Sequence, residues 1–218
     1  MDFHNKNFNN FSRTVISENR SRDEIISLMN RLRKALKDRY QKMMKLRIRS
    51  AGISENEYSK IIWPKIEAAL GAELKILNKE KDLYGHDMGY WGPPTNIIGI
   101  ATSEIERLNR AGKNKAYVLN DIKYGLLEEL FHAIDANLGI TKKWRGAQGR
   151  PFGKERGDRQ VDRMKKISKG WKGKNLKFYD EYYCRDDKEL YAALKTIQAY
   201  LPLEKFNDEM GVKYIKRL

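Results

Sequence analysis

Three residues near the middle of the chain have types and spacing suited to binding a divalent metal ion. Glu128 and His132 are four residues apart, so on a helix their side chains lie one turn apart and can bind the same ion. Glu129 projects further round the helix. Such a group can bind a metal ion and place a carboxylate beside it.

An amphipathic helix is predicted to carry these residues. At about 100° per residue, five apolar side chains form one stripe that must face the core. They are Leu127, Leu130, Phe131, Ile134 and Leu138. Asp121 is the predicted N-cap and Gly139 the predicted C-terminal stop. Glu128, His132 and Asp135 then lie together beside the apolar stripe.

This helix resembles the metal-binding helix of the zincin metallopeptidases, whose pattern is His-Glu-x-x-His. Glu128 stands where the first His of the pattern is expected, and Glu129 and His132 keep the base and second-ligand positions. The pairing of His132-Ala133-Ile134-Asp135 with a later Glu189-Leu190-Tyr191-Ala192 is similar to phage-encoded zincin-like proteins. The resemblance covers about residues 120–200.

The resemblance implies that Glu189 is the third metal ligand, as in the zincin branch that uses a carboxylate there. The residues alone also allow another interpretation, because Glu189 lies three after Asp186 and completes a helix capping box. Binding through Glu128, His132 and Glu189 is chemically compatible with zinc. Two carboxylates and one imidazole nevertheless leave the metal less electrophilic and its bound water less acidic.

The replacement of the first His therefore predicts that peptidase activity is lost and that no cofactor is needed. Binding of zinc, or of another divalent ion that prefers oxygen ligands, is the alternative. In that case Glu129 would be the catalytic base.

Length and composition predict one domain with extensions, because the chain has 218 residues of which 40% are hydrophobic. The single cysteine, Cys184, excludes an intrachain disulfide framework and suits a reducing compartment. Met1 to Ser12 is polar, without the apolar core of a signal peptide. No apolar run approaches the roughly 20 residues that span a bilayer. We therefore expect no membrane association.

Two basic blocks dominate the net charge of +15. Residues 142–177 contain fourteen Lys or Arg and three acids, and residues 31–49 contain nine and one. Such blocks suggest non-specific contact with DNA or with acidic protein surfaces. A solvated basic face is the simpler interpretation. Aromatic residues are interleaved with the cations of 142–177, but no recognised nucleic-acid module fits.

Three regions are predicted along the chain. They are an extended N-terminal arm (1–20), a helical extension (21–80) and a zincin-like domain (81–218) with a basic excursion at 142–177. Within them, helices are predicted at about 22–49, at about 54–78, at 121–138, and from Asp186 until Pro202 ends the last one. Pro64 marks a kink or restart. Residues 97–101 are a predicted strand or helix start, and residues 116–119 a predicted strand.

The predicted fold class is α+β: a mostly helical zincin-like metallopeptidase fold with a small sheet and an N-terminal helical extension. The outward-reaching arm and basic blocks suit a subunit of a large assembly. Lys/Asn/Ile-rich usage and the zincin-like remnant resemble virion proteins of crAss-like tailed phages. The resemblance implies a structural tail or neck ring protein in the virion, assembled in the host cytoplasm, with copies of itself and other virion proteins as partners. A metal-dependent peptidase and a non-specific DNA-binding protein are the alternatives.

Overall fold

The computed structural model describes residues 4–51, 54–141 and 187–199, which form a mostly helical α+β fold with a small sheet. The helices are α1 (His4–Ala51), α2 (Glu55–Glu57), α3 (Trp63–Leu70), α4 (Lys79–Asp82), α5 (Thr102–Arg110), α6 (Lys115–Leu138) and α7 (Asp187–Ala199). A π-helical turn, Tyr58–Ile62, joins α2 to α3, and a 3-10 turn, Gly112–Asn114, precedes α6. The strands are β1 (Glu73–Leu77), β2 (Met88–Trp91) and β3 (Ile97–Ala101). The predicted α+β class is confirmed at this level.

The sheet has three strands in the order β1-β3-β2, with β1 parallel and β2 antiparallel to the central β3. Ile98 and Ile100 of β3 point into the core and are fully buried, while Gly99 between them faces the other side. A Cβ atom at Gly99 would lie 2.5 Å from the ring of Trp91 and 2.7 Å from the side chain of Leu77. A larger residue at position 99 would therefore displace the Trp91 and Leu77 side chains, which pack over the glycine backbone.

One hydrophobic core joins α1, α3, the sheet, α6 and α7. The buried face of α1 repeats every three or four residues, as an amphipathic helix requires. Its members are Ile25, Met29, Leu32, Leu36 and Tyr40. The opposite wall comes from the apolar stripe of α6, which was predicted and is buried along its whole length. From α7, Tyr191 and Ala192 complete the core.

The extended arm predicted for 1–20 is wrong for the part that the structure describes, because α1 begins at His4 and continues to Ala51. No Gly or Pro interrupts residues 4–51, so nothing in the backbone stops the helix at the predicted start near residue 22. Ser21 does not cap a helix. Its hydroxyl instead donates a hydrogen bond to Oδ1 of Asn109 on α5.

The second predicted helix is too long at its C-terminal end. It begins as predicted, with the Ser54 hydroxyl accepting from the Glu57 N–H at 3.1 Å. It ends at Leu70, and residues 73–77 form β1 because they pair with β3 along its length. The predicted boundary near residue 80, between the helical extension and the zincin-like domain, would therefore divide a single sheet and a single hydrophobic core.

The strand predicted at 116–119 is also wrong, since these residues belong to α6, which begins at Lys115 and not at Asp121. Gly139 ends α6 as predicted, with a left-handed φ of 65°. Residues 97–101 are a strand, one of the two predicted alternatives. The excursion at 142–177, Asp186 and Pro202 lie outside the described residues.

Candidate metal centre

A cleft of about 870 Å³ runs along one side of α6. Edge strand β2, the segment before it, α5 and the start of α7 form its other walls. The α6 wall consists mainly of residues three or four apart, which face the same way on a helix. They are Asp121, Tyr124, Gly125, Glu128, His132 and Asp135, with Glu129 beside them. The predicted metal-binding face therefore opens into a cleft.

The three predicted ligands meet at the α7 end of this cleft. Donor atoms of Glu128, His132 and Glu189 all lie within 4.8 Å of one another. The distance between His132 Nε2 and Glu189 Oε2 is 3.3 Å, and their side chains are 14% and 28% exposed. Tyr191, two residues after Glu189, is fully buried and fixes the start of α7 against α6. The sequence thus brings a ligand from a distant helix to the face of α6.

The spacing of the donor atoms fits a divalent ion. Two ligands that each lie about 2.0–2.1 Å from a tetrahedral zinc are roughly 3.4 Å apart, close to the His132–Glu189 distance. The donors are one imidazole nitrogen and two carboxylate groups, all of which occur as zinc ligands. The group is therefore a candidate site for a divalent metal ion.

Burial and charge shift the pKa values of both Glu129 and His132. Burial raises the pKa of Glu129 and the nearby His132 lowers it by a smaller amount, so the resulting pKa is about 7. Burial alone would lower the pKa of His132, but the hydrogen bond to Glu189 and the charges of Glu129, Glu189 and Glu128 outweigh it. The result is a pKa of His132 of about 9. Without metal, His132 is therefore an imidazolium in ion-pair contact with Glu189 at neutral pH.

Strand β2 lies close against α6 in the middle of the cleft because Gly125 has no side chain. A Cβ atom at Gly125 would lie 2.6 Å from Sδ of Met88. Tyr90, also on β2, donates a hydrogen bond from its hydroxyl to Oδ1 of Asn96 at 2.7 Å and accepts one from Asn137 of α6 at 3.4 Å. These contacts hold the edge strand alongside α6.

Asp135 is a structural residue at the end of α6. Its carboxylate accepts hydrogen bonds from the N–H and the hydroxyl of Thr141, each at 2.7 Å, and only 4% of the residue is exposed. Its carbonyl accepts from the N–H of Gly139. Asp135 therefore closes the turn after the helix.

A second charged group lines the opposite end of the cleft and was not predicted. Arg107 of α5 pairs with Glu104 at 2.5 Å and with Asp121 of α6 at 2.6 Å. The Glu104 side chain is only 7% exposed, and burial raises its pKa in spite of Arg107. The spacing of Glu104 and Arg107 signals a helical ion pair. Asp121 comes from another helix, so its contact could not be derived from local spacing.

Some cations of the basic block at 31–49 make contacts within the protein. Arg33 donates a hydrogen bond to the carbonyl of Ala72, and Lys37 pairs with Glu67 at 2.9 Å. Lys37 also lies 5.8 Å from the ring centroid of Trp63. These cations support the fold, whereas DNA contact through 31–49 or 142–177 stays a prediction.

Among the described residues, no helix combines the length and apolar character that a membrane span needs. Comparison of the chain with protein-family models, curated proteins and solved structures gives no match.

Proposed function

We propose that this chain is a zincin-like protein that binds a divalent metal ion and hydrolyses peptide bonds. The substitution of Glu128 for the first His predicts lost activity, but the cleft keeps three converging ligands and places Glu129 beside them, which supports a retained reaction. The observation that carries the proposal is the convergence of Glu128, His132 and Glu189 within 4.8 Å, from two helices far apart in the chain. A local ion pair on one helix would not require the later helix. The two-helix arrangement supports the zincin-like fold that the two sequence motifs imply.

The protein supplies the acid–base chemistry of the proposed reaction. A divalent ion held by Glu128, His132 and Glu189 would supply Lewis-acid chemistry, polarising a peptide carbonyl and lowering the pKa of a water molecule. Glu129 would take a proton from the attacking water and deliver it to the leaving amine. His132 must release its own proton before its nitrogen can bind the ion. Glu128 and Glu189 bind the ion through oxygen.

The shape of the cleft supports an extended peptide as the substrate. Strand β2 pairs with β3 on one side, and within the described residues no strand pairs with its other side. Met88, Gly89 and Tyr90 of this edge strand line the cleft. Exposed strand edges bind extended peptides through main-chain hydrogen bonds. A peptide bound along β2 would pass across the three ligands on α6 and α7.

Replacement of the proposed base tests this activity. Glu129→Gln keeps the shape of the side chain but removes its ability to accept the proton. We expect hydrolysis of an unfolded protein such as casein, measured with the metal-loaded chain, to fall by about 10²–10⁴-fold while metal binding persists. Asp121→Asn is the matched control, because it also removes one carboxylate from the cleft. Undiminished hydrolysis by Glu129→Gln would refute the mechanism.

A structural role in a phage virion is the second candidate, and the length of α1 favours it. A helix of 48 residues is about 72 Å long, whereas a compact domain of 218 residues has a diameter of about 45 Å. Helix α1 therefore extends past a compact body, as a helix that contacts other subunits would. In this role the chain is a tail or neck ring protein that contacts copies of itself and other virion proteins.

Sedimentation velocity of the purified chain over a range of concentrations tests the structural candidate. Ring assembly predicts species larger than a monomer that grow with concentration. A strictly monomeric protein at high concentration would contradict it. Metal-dependent hydrolysis and assembly are separate properties, so each test stands without the other.

A further inference from the structure

The donor set of the metal centre contains more oxygen than that of a centre with two imidazoles. One nitrogen comes from His132, and the remaining donors are the carboxylates of Glu128 and Glu189. Imidazole suits zinc, copper, iron and nickel, whereas carboxylate oxygen suits magnesium, calcium and manganese. Glu128 is the residue that moves the balance toward oxygen.

We propose that Glu128 sets the metal preference of this centre. It lowers the ratio of the Zn²⁺ affinity to the Mn²⁺ affinity, so that Mn²⁺ can serve as the functional ion. The inference rests on the proposed metal centre and adds the identity of its ion. A given site generally binds Zn²⁺ more tightly than Mn²⁺, so the preference is expressed as the ratio of the two affinities. A carboxylate in place of an imidazole lowers that ratio.

Coordination number points in the same direction. Each carboxylate can bind a cation through one or both oxygens. Three side chains therefore offer up to five donor atoms, and the cleft of about 870 Å³ leaves room for water molecules beside them. Zinc in proteins is mostly four-coordinate, whereas Mn²⁺ favours octahedral oxygen-rich sites. The centre can satisfy the larger coordination number without another protein ligand.

The position of Glu128 makes the proposal testable by one substitution. Position 128 lies one turn before His132 on the same face of α6, so an imidazole introduced there faces the same ion. Glu128→His changes the donor type while Glu189 and the helix scaffold stay the same. Any change in the ratio of affinities then reports the donor at position 128.

The experiment measures Zn²⁺ and Mn²⁺ dissociation constants by equilibrium dialysis of the full chain after removal of metal with a chelator. Loss of the free Mn²⁺ signal in electron paramagnetic resonance gives an independent readout of binding. We expect Glu128→His to raise the preference for Zn²⁺ over Mn²⁺ by at least about tenfold. Equal ratios in the wild type and Glu128→His would overturn the inference, although the metal centre itself would stand.

Two further variants keep the test decisive if Glu128→His does not fold. Glu128→Gln preserves shape and should weaken Mn²⁺ binding by at least about tenfold. Asp121→Asn removes a carboxylate from the same cleft without touching the ligands, and should leave Mn²⁺ binding nearly unchanged. Equal weakening by both variants would mean that Glu128 acts only through its charge, which overturns the inference. Absence of binding of either ion by the wild type would refute the metal centre and the inference together.

Discussion

The two ends of the cleft both contain clustered carboxylates, but their cationic partners differ. At the α5 end, Arg107 pairs with Glu104 and Asp121 at 2.5 and 2.6 Å. At the α7 end, Glu128, Glu129 and Glu189 lie near the imidazole of His132, and Lys188 also lines the cleft there. A guanidinium stays charged at any ordinary pH and cannot bind a metal, whereas an imidazole can exchange its proton for one.

This difference separates a structural charge cluster from a candidate metal centre. The Arg107 cluster already has a permanent counter-ion and joins α5 to α6. The His132 cluster has a partner that becomes a ligand when it loses a proton. Clustered acids in a cleft therefore do not identify a metal site by themselves. The identity of the cation among them decides the interpretation.

The pH dependence of stability gives the largest expected effect. In the metal-free protein, the pKa of Glu129 rises from 4.5 to about 7 and that of His132 from 6.5 to about 9. The folded state therefore binds more protons than the unfolded state across pH 4.5–9, so the free energy of unfolding falls as the pH rises. Because the two groups interact with each other, we expect a combined loss of roughly a few kcal/mol for the pair. Urea denaturation in the presence of a chelator at pH 5, 7 and 9 measures it.

His132→Ala is the control for this pH dependence, because it removes the contribution between pH 6.5 and 9. Saturation with metal should make the free energy of unfolding rise with pH, because the ion displaces protons and binds more tightly as the pH rises. A metal-free protein whose stability is constant or increases between pH 7 and 9 would contradict the assignment of His132.

Removal of Arg107, the permanent cation, should lower the stability of the fold and leave metal binding unchanged. Arg107→Ala leaves the buried Glu104 carboxylate without its guanidinium, so we expect a loss of about 1–3 kcal/mol in the free energy of unfolding. The exposed Arg110, which pairs with Glu106 at 3.0 Å, supplies the matched control. Arg110→Ala should cost less than about 0.5 kcal/mol. If Arg107→Ala abolished metal binding at unchanged stability, the distinction between the two ends would fail.

Asp135→Asn should have the smallest effect on stability. The variant also tests whether Asp135 belongs to the metal ligands. The amide cannot accept both hydrogen bonds from Thr141, so we expect a loss of about 1 kcal/mol in stability. Metal affinity should stay nearly unchanged, because Asp135 binds Thr141 and is not in the ligand group. Calorimetric titration with metal beside thermal denaturation separates the two quantities. A loss of affinity as large as that of Glu189→Gln would make Asp135 a ligand.

Much of the candidate site could be predicted from local spacing. The four-residue interval between Glu128 and His132 places them on one face of any helix, and the apolar stripe of α6 determines which side is buried. Glu189 could be found only through the family resemblance, since no local rule links it to α6. The Arg107 cluster was missed for the same reason, as Asp121 meets α5 only in the folded chain.

The errors in the predicted fold have a common physical cause. Helix-forming residues at 73–77 were assigned to a helix, but pairing with β3 decided their conformation. Residues 116–119 looked like a strand, yet they lie in the first turns of α6 and follow its helical burial pattern. In both cases the element that the segment joins, a sheet at 73–77 and a long helix at 116–119, outweighed its intrinsic preference.

The most direct test is the metal content of the purified chain. Elemental analysis of protein prepared without added metal or chelator, beside His132→Ala prepared in the same way, measures it. We predict about one divalent ion per wild-type chain and none in the variant, because His132 supplies the nitrogen ligand. A wild-type chain without metal, or a His132→Ala variant that retains it, would contradict the metal centre.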